Sequence, residues 1–411
     1  MRGARVVTVG AGPLVSGDDG AALAVVRLLQ DTGLPVLARE TVDESEVALE
    51  RVLELAVEDA ALVVLLAQAG GSAGDIVRRV VARLAVARLV LNERVLDSLQ
   101  ADFATRGRAM PRRLDRLALL PQGAELWPAP GEPGWALAVR RALVAVLPLG
   151  SPHLRALLEG PLRAVAEDVG GAESVTLMRT LRTAGLGLAD AEERLGAWLG
   201  REGPVAVSCL PADGEVWVRL TCRAASRSTA EARLDALDGE LRGVLGEDCY
   251  GQDGETLEGA VARRLETRGL RLSTAESCTG GLLAHRLTGP PGASRIFDRG
   301  LVAYSLRAKQ ELLGVPGELL ETHGAVSAPV AEAMARGAAR TGRSPCALAV
   351  TGFTGPGGGA PDRPVGTVFV AALTPDGVTV RRHVFAGSRD AVMRQAVTAA
   401  LDLLRRLLRR P

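Results

Sequence analysis

Ser277, Tyr304 and Lys309 are the side chains whose types could do chemistry together. A serine hydroxyl loses its proton far above neutrality, so it attacks a carbonyl only beside a base. A lysine desolvated in a pocket can have its pKa lowered enough to be that base. Ser–Lys pairs, often with a tyrosine assisting proton transfer, are an established solution. The composition singles out the lysine. Of 49 basic side chains in the 411-residue chain, Lys309 is the one lysine, and every other is arginine. Arginine supplies charge, but it cannot shed a proton at working pH. The plain alternative is a surface charge that escaped a genome-wide drift toward arginine.

Elements must bring these residues to one place, and the pattern supplies them. "RLSTAES" reads as a strand that runs into "CTGGLLAHRLTG", a helix, with Ser277 at the strand end. "GLVAYS" is a strand ending at Tyr304, and "RAKQELLG" is a short helix carrying Lys309 in its first turn. Open α/β sheets place catalytic groups at such strand ends. The turn after Ser277 offers N–H groups of a helix start to an oxyanion, which brings Thr279 and Gly280 into the site. Cys278 is the competing nucleophile, although no histidine lies nearby in sequence. In the bland alternative Ser277 merely caps the helix. Further on, "SAPVAEAMARGAART" is a helix with Ser327 as its N-cap, and "PCALAVTG" is a strand emptying into the loop "FTGPGGGAPDRP". Two more strands and a helix from about residue 389 to 409 close the chain.

Upstream the grammar differs. The first ~150 residues alternate strand, helix, strand, helix, which argues for a parallel α/β domain. From about 170 to 250, a strand, a helix, a hairpin around "ADGE" and a closing helix read as a small α+β module.

The totals exclude much. A net charge of +1 advertises neither nucleic acid nor a cationic partner. Five cysteines without a C-x-x-C pair fit reduced thiols in a cytoplasmic protein. The four histidines are far apart, against a zinc site. No apolar stretch approaches the ~18 residues that span a bilayer. Pro13 and Leu14 break the dinucleotide-like "VGAGPLVSG", and the lysine is followed by Gln310 rather than Ser/Thr, against a P-loop. "GGSAG" (70–74) formally matches a nucleophile elbow, with His153 downstream, but no distinctive acid completes a triad.

"TAESCTGGLLAHRLT", "GASRIFDRGLVAYS", "HGAVSAPVAEAMA", "AVTGFTGPGGG" and "RPVGTVFVAA" together closely resemble the competence/damage-inducible CinA family, over essentially all of 255–411. The resemblance implies an α/β/α sandwich that hydrolyses the carboxamide of nicotinamide mononucleotide to nicotinate mononucleotide and ammonia, in pyridine nucleotide recycling. It implies Ser277 as nucleophile, Tyr304 and Lys309 as its proton-transfer partners, and Thr351 and Arg389 as active-site residues. We expect Arg389 and the backbone around Gly355 to meet the substrate's phosphate. No metal or cofactor is expected for this domain. The family usually has alanine where this chain has Thr354, a departure expected to be tolerated beside a glycine loop.

The resemblance extends upstream. Residues 1–168 look like the family's domain of molybdopterin-binding (MoaB/MogA-like) fold, which in several members hydrolyses ADP-ribose with a metal ion. Its signature T-G-G-L-G-P-T-x-D-D aligns with "LAQAGGSAGD" (66–75), where only Gly70, Ser72 and Asp75 remain, and its opening glutamate is missing from "GAGPL". A metal–pyrophosphate site needs clustered carboxylates and glycine-presented N–H groups, so this domain is expected to be catalytically degenerate. Residues 169–250 resemble the family's KH-like module, but without a G-x-x-G loop, so we expect a connector rather than a nucleic-acid clamp. A cytoplasmic homodimer acting on a small nucleotide, without membrane or nucleic-acid partners, is the expectation. The rivals are a non-catalytic nucleotide-binding or regulatory scaffold and a Lys309 Schiff base.

Overall fold

The computed structural model describes residues 3–10, 12, 19–170, 175–212 and 214–408. Pro13, Leu14 and Asp213, on which the dinucleotide and hairpin readings partly rest, lie outside them. The chain packs as two compact units, residues 1–178 with 222–233 and residues 179–221 with 234–411.

In the first unit, strands β1 (Ala4–Val9), β2 (Val36–Val42), β3 (Leu62–Ala67), β6 (Glu125–Trp127), β7 (Gly134–Val139) and β8 (Ala142–Pro148) form one sheet ordered β2-β1-β3-β8-β7-β6. The short β4 (Leu89–Leu91) and β5 (Leu119–Pro121) pair separately. The sheet is mixed rather than wholly parallel. β1, β2, β3 and β8 run parallel, but β7 joins β8 antiparallel, because only two residues separate them. Every residue of β3 is buried, as a central strand with apolar layers on both faces requires. The helix after β3 spans Gly71–Leu84 and begins at the second glycine of "GGSAG". That start places the elbow-like "GGSAG" across the helix N-cap and first turn. Ser72 is exposed there, and its hydroxyl donates to the Glu44 carboxylate rather than to a histidine.

Strands β9 (Val175–Ala184), β10 (Val205–Ala212), β11 (Glu215–Ala224) and β12 (Cys249–Gln252) form a four-stranded sheet ordered β10-β11-β9-β12. Helices Leu188–Leu195 and Arg227–Leu245 complete this α+β module.

Downstream lies the third sheet, ordered β14-β13-β15-β16-β17, with β13 (Leu272–Glu276), β14 (Phe297–Val302), β15 (Cys346–Gly352), β16 (Thr367–Thr374) and β17 (Gly377–Val384). β13 runs parallel to both β14 and β15, while β16 and β17 continue antiparallel. Alternation sorts β15 between two cores. Leu348 and Val350 pack with Leu265 and Leu401 on one face, and Ala347 and Ala349 pack with Val330 and Met334 on the other. The sheet is therefore a filling between helices, and its three parallel strands all end on the same edge.

Candidate active site

β13 is an unusual central strand, Leu-Ser-Thr-Ala-Glu, with every residue buried. Two of its three polar side chains are satisfied internally, while the buried Thr274 hydroxyl has no hydrogen-bond partner. Ser273 Oγ shares a hydrogen bond with Ser344 Oγ at 2.8 Å. Glu276, fully buried, accepts from three peptide N–H groups: Gly281 (3.0 Å), Leu283 (3.0 Å) and Ala284 (2.8 Å). These belong to the start of helix Leu282–Thr288, whose first N–H groups have no partner within the helix. Their dipole also favours the negative charge. Glu276 thus ties the strand end to the helix start, and residues 277–280 are held between them.

The turn needs its glycines. Gly280 has φ of 59° and Gly281, at the N-cap, has φ of 103°, a conformation that side chains on Cβ oppose. Ser277, buried, donates its N–H to the Val350 carbonyl at 3.0 Å and so extends the sheet by one residue. Gly280 N–H donates to the Ser277 carbonyl and Leu282 N–H to the Thr279 carbonyl, so the Gly280 donor is spent inside the turn. Among the described residues, the N–H groups of Cys278 and Thr279 carry no backbone hydrogen bond and none to Glu276. Thr279 is 1% exposed, and its buried hydroxyl has no partner.

Lys309 arrives from the neighbouring strand. β14 ends at Val302, and helix Leu306–Leu313 begins at Ser305, whose hydroxyl accepts from Ala308 N–H at 3.0 Å. Side chains of a helix lean toward its N-terminus, so Lys309 leans back over the strand end. It is 1% exposed. Its Nζ lies 2.9 Å from Ser277 Oγ and donates to the carbonyls of Ala303 (2.8 Å) and Tyr304 (3.2 Å). Two carbonyls match the two N–H donors of a neutral amine and leave its lone pair for the serine proton. After transfer, the ammonium has three donors facing three oxygens. Both protonation states are accommodated.

Desolvation shifts the amine toward its neutral form, against an opposing pull from the Cys278 thiol. Burial holds the Lys309 amine below the ordinary lysine value, and no carboxylate opposes that shift. Cys278 is pushed the other way: burial raises its thiol to about 12, only partly offset by its own peptide N–H and by the charges of Lys309 and Arg389. A thiol that keeps its proton is a poor nucleophile.

The structure brings Ser277 and Lys309 together, with Thr279 beside them on the same turn. Tyr304 is adjacent through its peptide carbonyl. The residue is 63% exposed, and no hydrogen bond joins its hydroxyl to Ser277 or Lys309. Thr351, the penultimate residue of β15, donates its hydroxyl to Ala325 O at 2.8 Å. Arg389 opens the helix Arg389–Leu407, and its Nη1 donates to Thr354 Oγ1 (2.8 Å) and Gly355 O (2.9 Å). Gly355 thus meets Arg389 through its carbonyl. Glu276 escaped the sequence reading, although a carboxylate four residues before a Gly-Gly helix start is a recognisable sign of helix N-terminal charge. Among the described residues, no group of three His, Cys, Asp or Glu side chains could hold a metal.

A buried Ser–Lys pair at the carboxyl ends of parallel strands in a helix-covered sheet defines the class. Comparison with known proteins narrows it. Residues 254–408 match the CinA C-terminal domain, and residues 178–251 match the KH domain of damage-inducible protein CinA. The chain is 38% identical over 395 residues to a CinA-like protein of Geobacter sulfurreducens, covering 95% of each. It is 36% identical over 387 residues to a CinA-like protein of an Anaeromyxobacter strain, covering 93% of each. The solved structure of competence/damage inducible protein CihA from Agrobacterium tumefaciens is 42% identical, with 38% of this chain and 98% of that one covered and a TM-score of 0.35. This chain belongs to the CinA family. No helix among the described residues is long and apolar enough to cross a membrane.

Proposed function

We propose that the C-terminal domain is an amidohydrolase that deamidates nicotinamide mononucleotide. The observation that carries this reading is the 2.9 Å approach of a buried, carboxylate-free lysine to Ser277 Oγ. Lys309 takes the Ser277 proton as Oγ attacks the carboxamide carbon. The N–H groups of Cys278 and Thr279 hold the oxyanion. Lys309 then gives its proton to the departing nitrogen, and the C–N bond breaks to release ammonia. Water, deprotonated by the same amine, cleaves the acyl ester to nicotinate mononucleotide and restores Ser277. Tyr304 takes part through the carbonyl that, with Ala303, orients the amine. Arg389 binds the 5′-phosphate. Thr351, tied to Ala325, supports the neighbouring strand end. No step calls for a metal or cofactor.

The N-terminal unit is read as having lost pyrophosphatase chemistry. Asp75, the surviving signature carboxylate, is occupied by ion pairs with Arg78 and with Arg116 (3.0 Å). A carboxylate neutralised by two guanidiniums is a weak metal ligand.

The test is release of ammonia and nicotinate mononucleotide from the substrate by wild type and by Ser277→Ala. Turnover lost in the variant supports the reading. An inert wild type, or an active Ser277→Ala, overturns it. Borohydride in the presence of substrate should trap no adduct on Lys309, which separates this mechanism from a Schiff base.

A further inference from the structure

Thr354 lies in the glycine-rich loop after β15 and is 3% exposed. Buried hydroxyls are placed where they have a partner, and the partner here is Arg389 Nη1 at 2.8 Å. The Gly355 carbonyl accepts from the same nitrogen at 2.9 Å. Both acceptors therefore grip one corner of the guanidinium. Among the described residues Nε and Nη2 have no partner, and that pair of N–H groups is the edge that meets an oxyanion bidentately. Arg389 itself is solvent-exposed, so without the two acceptors its long side chain would sample many rotamers. Its charge reaches the interior of the site, because it acts on the Cys278 thiol one residue from Ser277.

We propose that Thr354 is the positioning residue for Arg389, aiming its free Nε/Nη2 edge at the phosphate monoester of the substrate. This rests on the deamidase reading for the identity of the substrate, but the anion-binding claim stands apart from it. The glycine loop alone supplies only the Gly355 carbonyl, which leaves the guanidinium free to swing about a single contact. The threonine adds the second point that fixes its plane. A carbonyl fixed in a loop and a side-chain hydroxyl differ in one respect that can be tested, since the hydroxyl can be removed without changing the backbone.

The variants are Thr354→Val, which keeps the volume and removes the hydroxyl, and Thr354→Ser, which keeps the hydroxyl. Two readouts are used on the full chain: steady-state kinetics with nicotinamide mononucleotide, and calorimetric titration with inorganic phosphate. We expect Thr354→Val to raise KM and to weaken phosphate binding about tenfold, the low end for losing one hydrogen bond to a charged group, with a much smaller change in kcat. Thr354→Ser should restore both toward wild type. In an Arg389→Gln background Thr354→Val should add nothing, the mark of an effect that passes through Arg389. Should wild type fail to release ammonia, the deamidase reading falls, and the phosphate titrations still decide on Thr354. The proposal is overturned if wild type does not bind phosphate, if Thr354→Val binds it as wild type does, if Thr354→Ser is as impaired as Thr354→Val, or if the loss persists without Arg389.

Discussion

Replacing Glu276 by glutamine probes how the nucleophile turn is held, because it removes charge while keeping shape. The carboxylate accepts from Gly281 and Leu283 through one oxygen and from Ala284 through the other. A glutamine side chain has one acceptor oxygen, so at least one N–H would face an NH₂ group instead. One hydrogen bond to a charged group, worth about 1.5–3 kcal/mol, is lost, and the remaining ones weaken to neutral strength. Together this amounts to roughly 2–4 kcal/mol of local stability. The chain has several sheets, so a single global unfolding curve is a poor gauge. Amide hydrogen exchange resolved to residues 281–284 reads the local opening directly. At about 1.4 kcal/mol per decade, exchange there should quicken about thirtyfold to about a thousandfold. Amides of the 62–67 strand in the other unit should keep their rates. A change of less than about threefold at residues 281–284 would refute the idea that Glu276 anchors the turn.

Three further outcomes follow from the same geometry. If neutral Lys309 is the base, kcat/KM rises with pH as the amine loses its proton and levels off below the ordinary lysine range, since burial lowers its pKa; a profile flat across that limb contradicts it. The groups facing the amine are the Ser277 hydroxyl, two carbonyls and the Cys278 thiol, which burial pushes up to about 12. Tyr304→Phe should retain activity to within about fivefold, less than the factor for losing a proton-transfer group, because Lys309 meets the Tyr304 carbonyl and not the phenol; a loss of a hundredfold or more would return the hydroxyl to the mechanism. ADP-ribose with added divalent metal should not be hydrolysed by the full chain, Asp75 being held by Arg78 and Arg116; metal-dependent release of AMP and ribose 5-phosphate, followed by chromatography, would contradict that.

Much of the C-terminal layout was legible because its sequence punctuation coincides with its physics. Ser277 was placed at a strand end, and the glycines after it do adopt left-handed conformations. The single lysine stood out by composition, and its burial follows from the backward lean of helix side chains. Other features depend on three dimensions. Ser327 occupies the N-cap position of helix Ala328–Gly342 as read, yet its hydroxyl donates to Gly324 O at 2.9 Å and caps nothing. Helix Gly317–His323 was not anticipated, its seven residues being too few to show a period. The strand read as ending at Tyr304 runs from Phe297 to Val302 and leaves Tyr304 beyond it, because pairing with β13 and not local propensity sets its ends. Thr354 was read as a tolerated departure beside the loop, and only the fold reveals Arg389 against it. Long-range partners are what sequence periodicity does not encode.

The most direct measurement is ammonia release from nicotinamide mononucleotide by Lys309→Arg against wild type, with circular dichroism confirming the fold of both. Arginine keeps a cation on a long stem and removes the ability to hold a neutral lone pair. The account predicts a folded variant with kcat/KM reduced by at least about a hundredfold, the smallest factor ascribed to a positioned general base. A folded Lys309→Arg protein that turns over at the wild-type rate would contradict it, because the buried amine beside Ser277 would then not be the base.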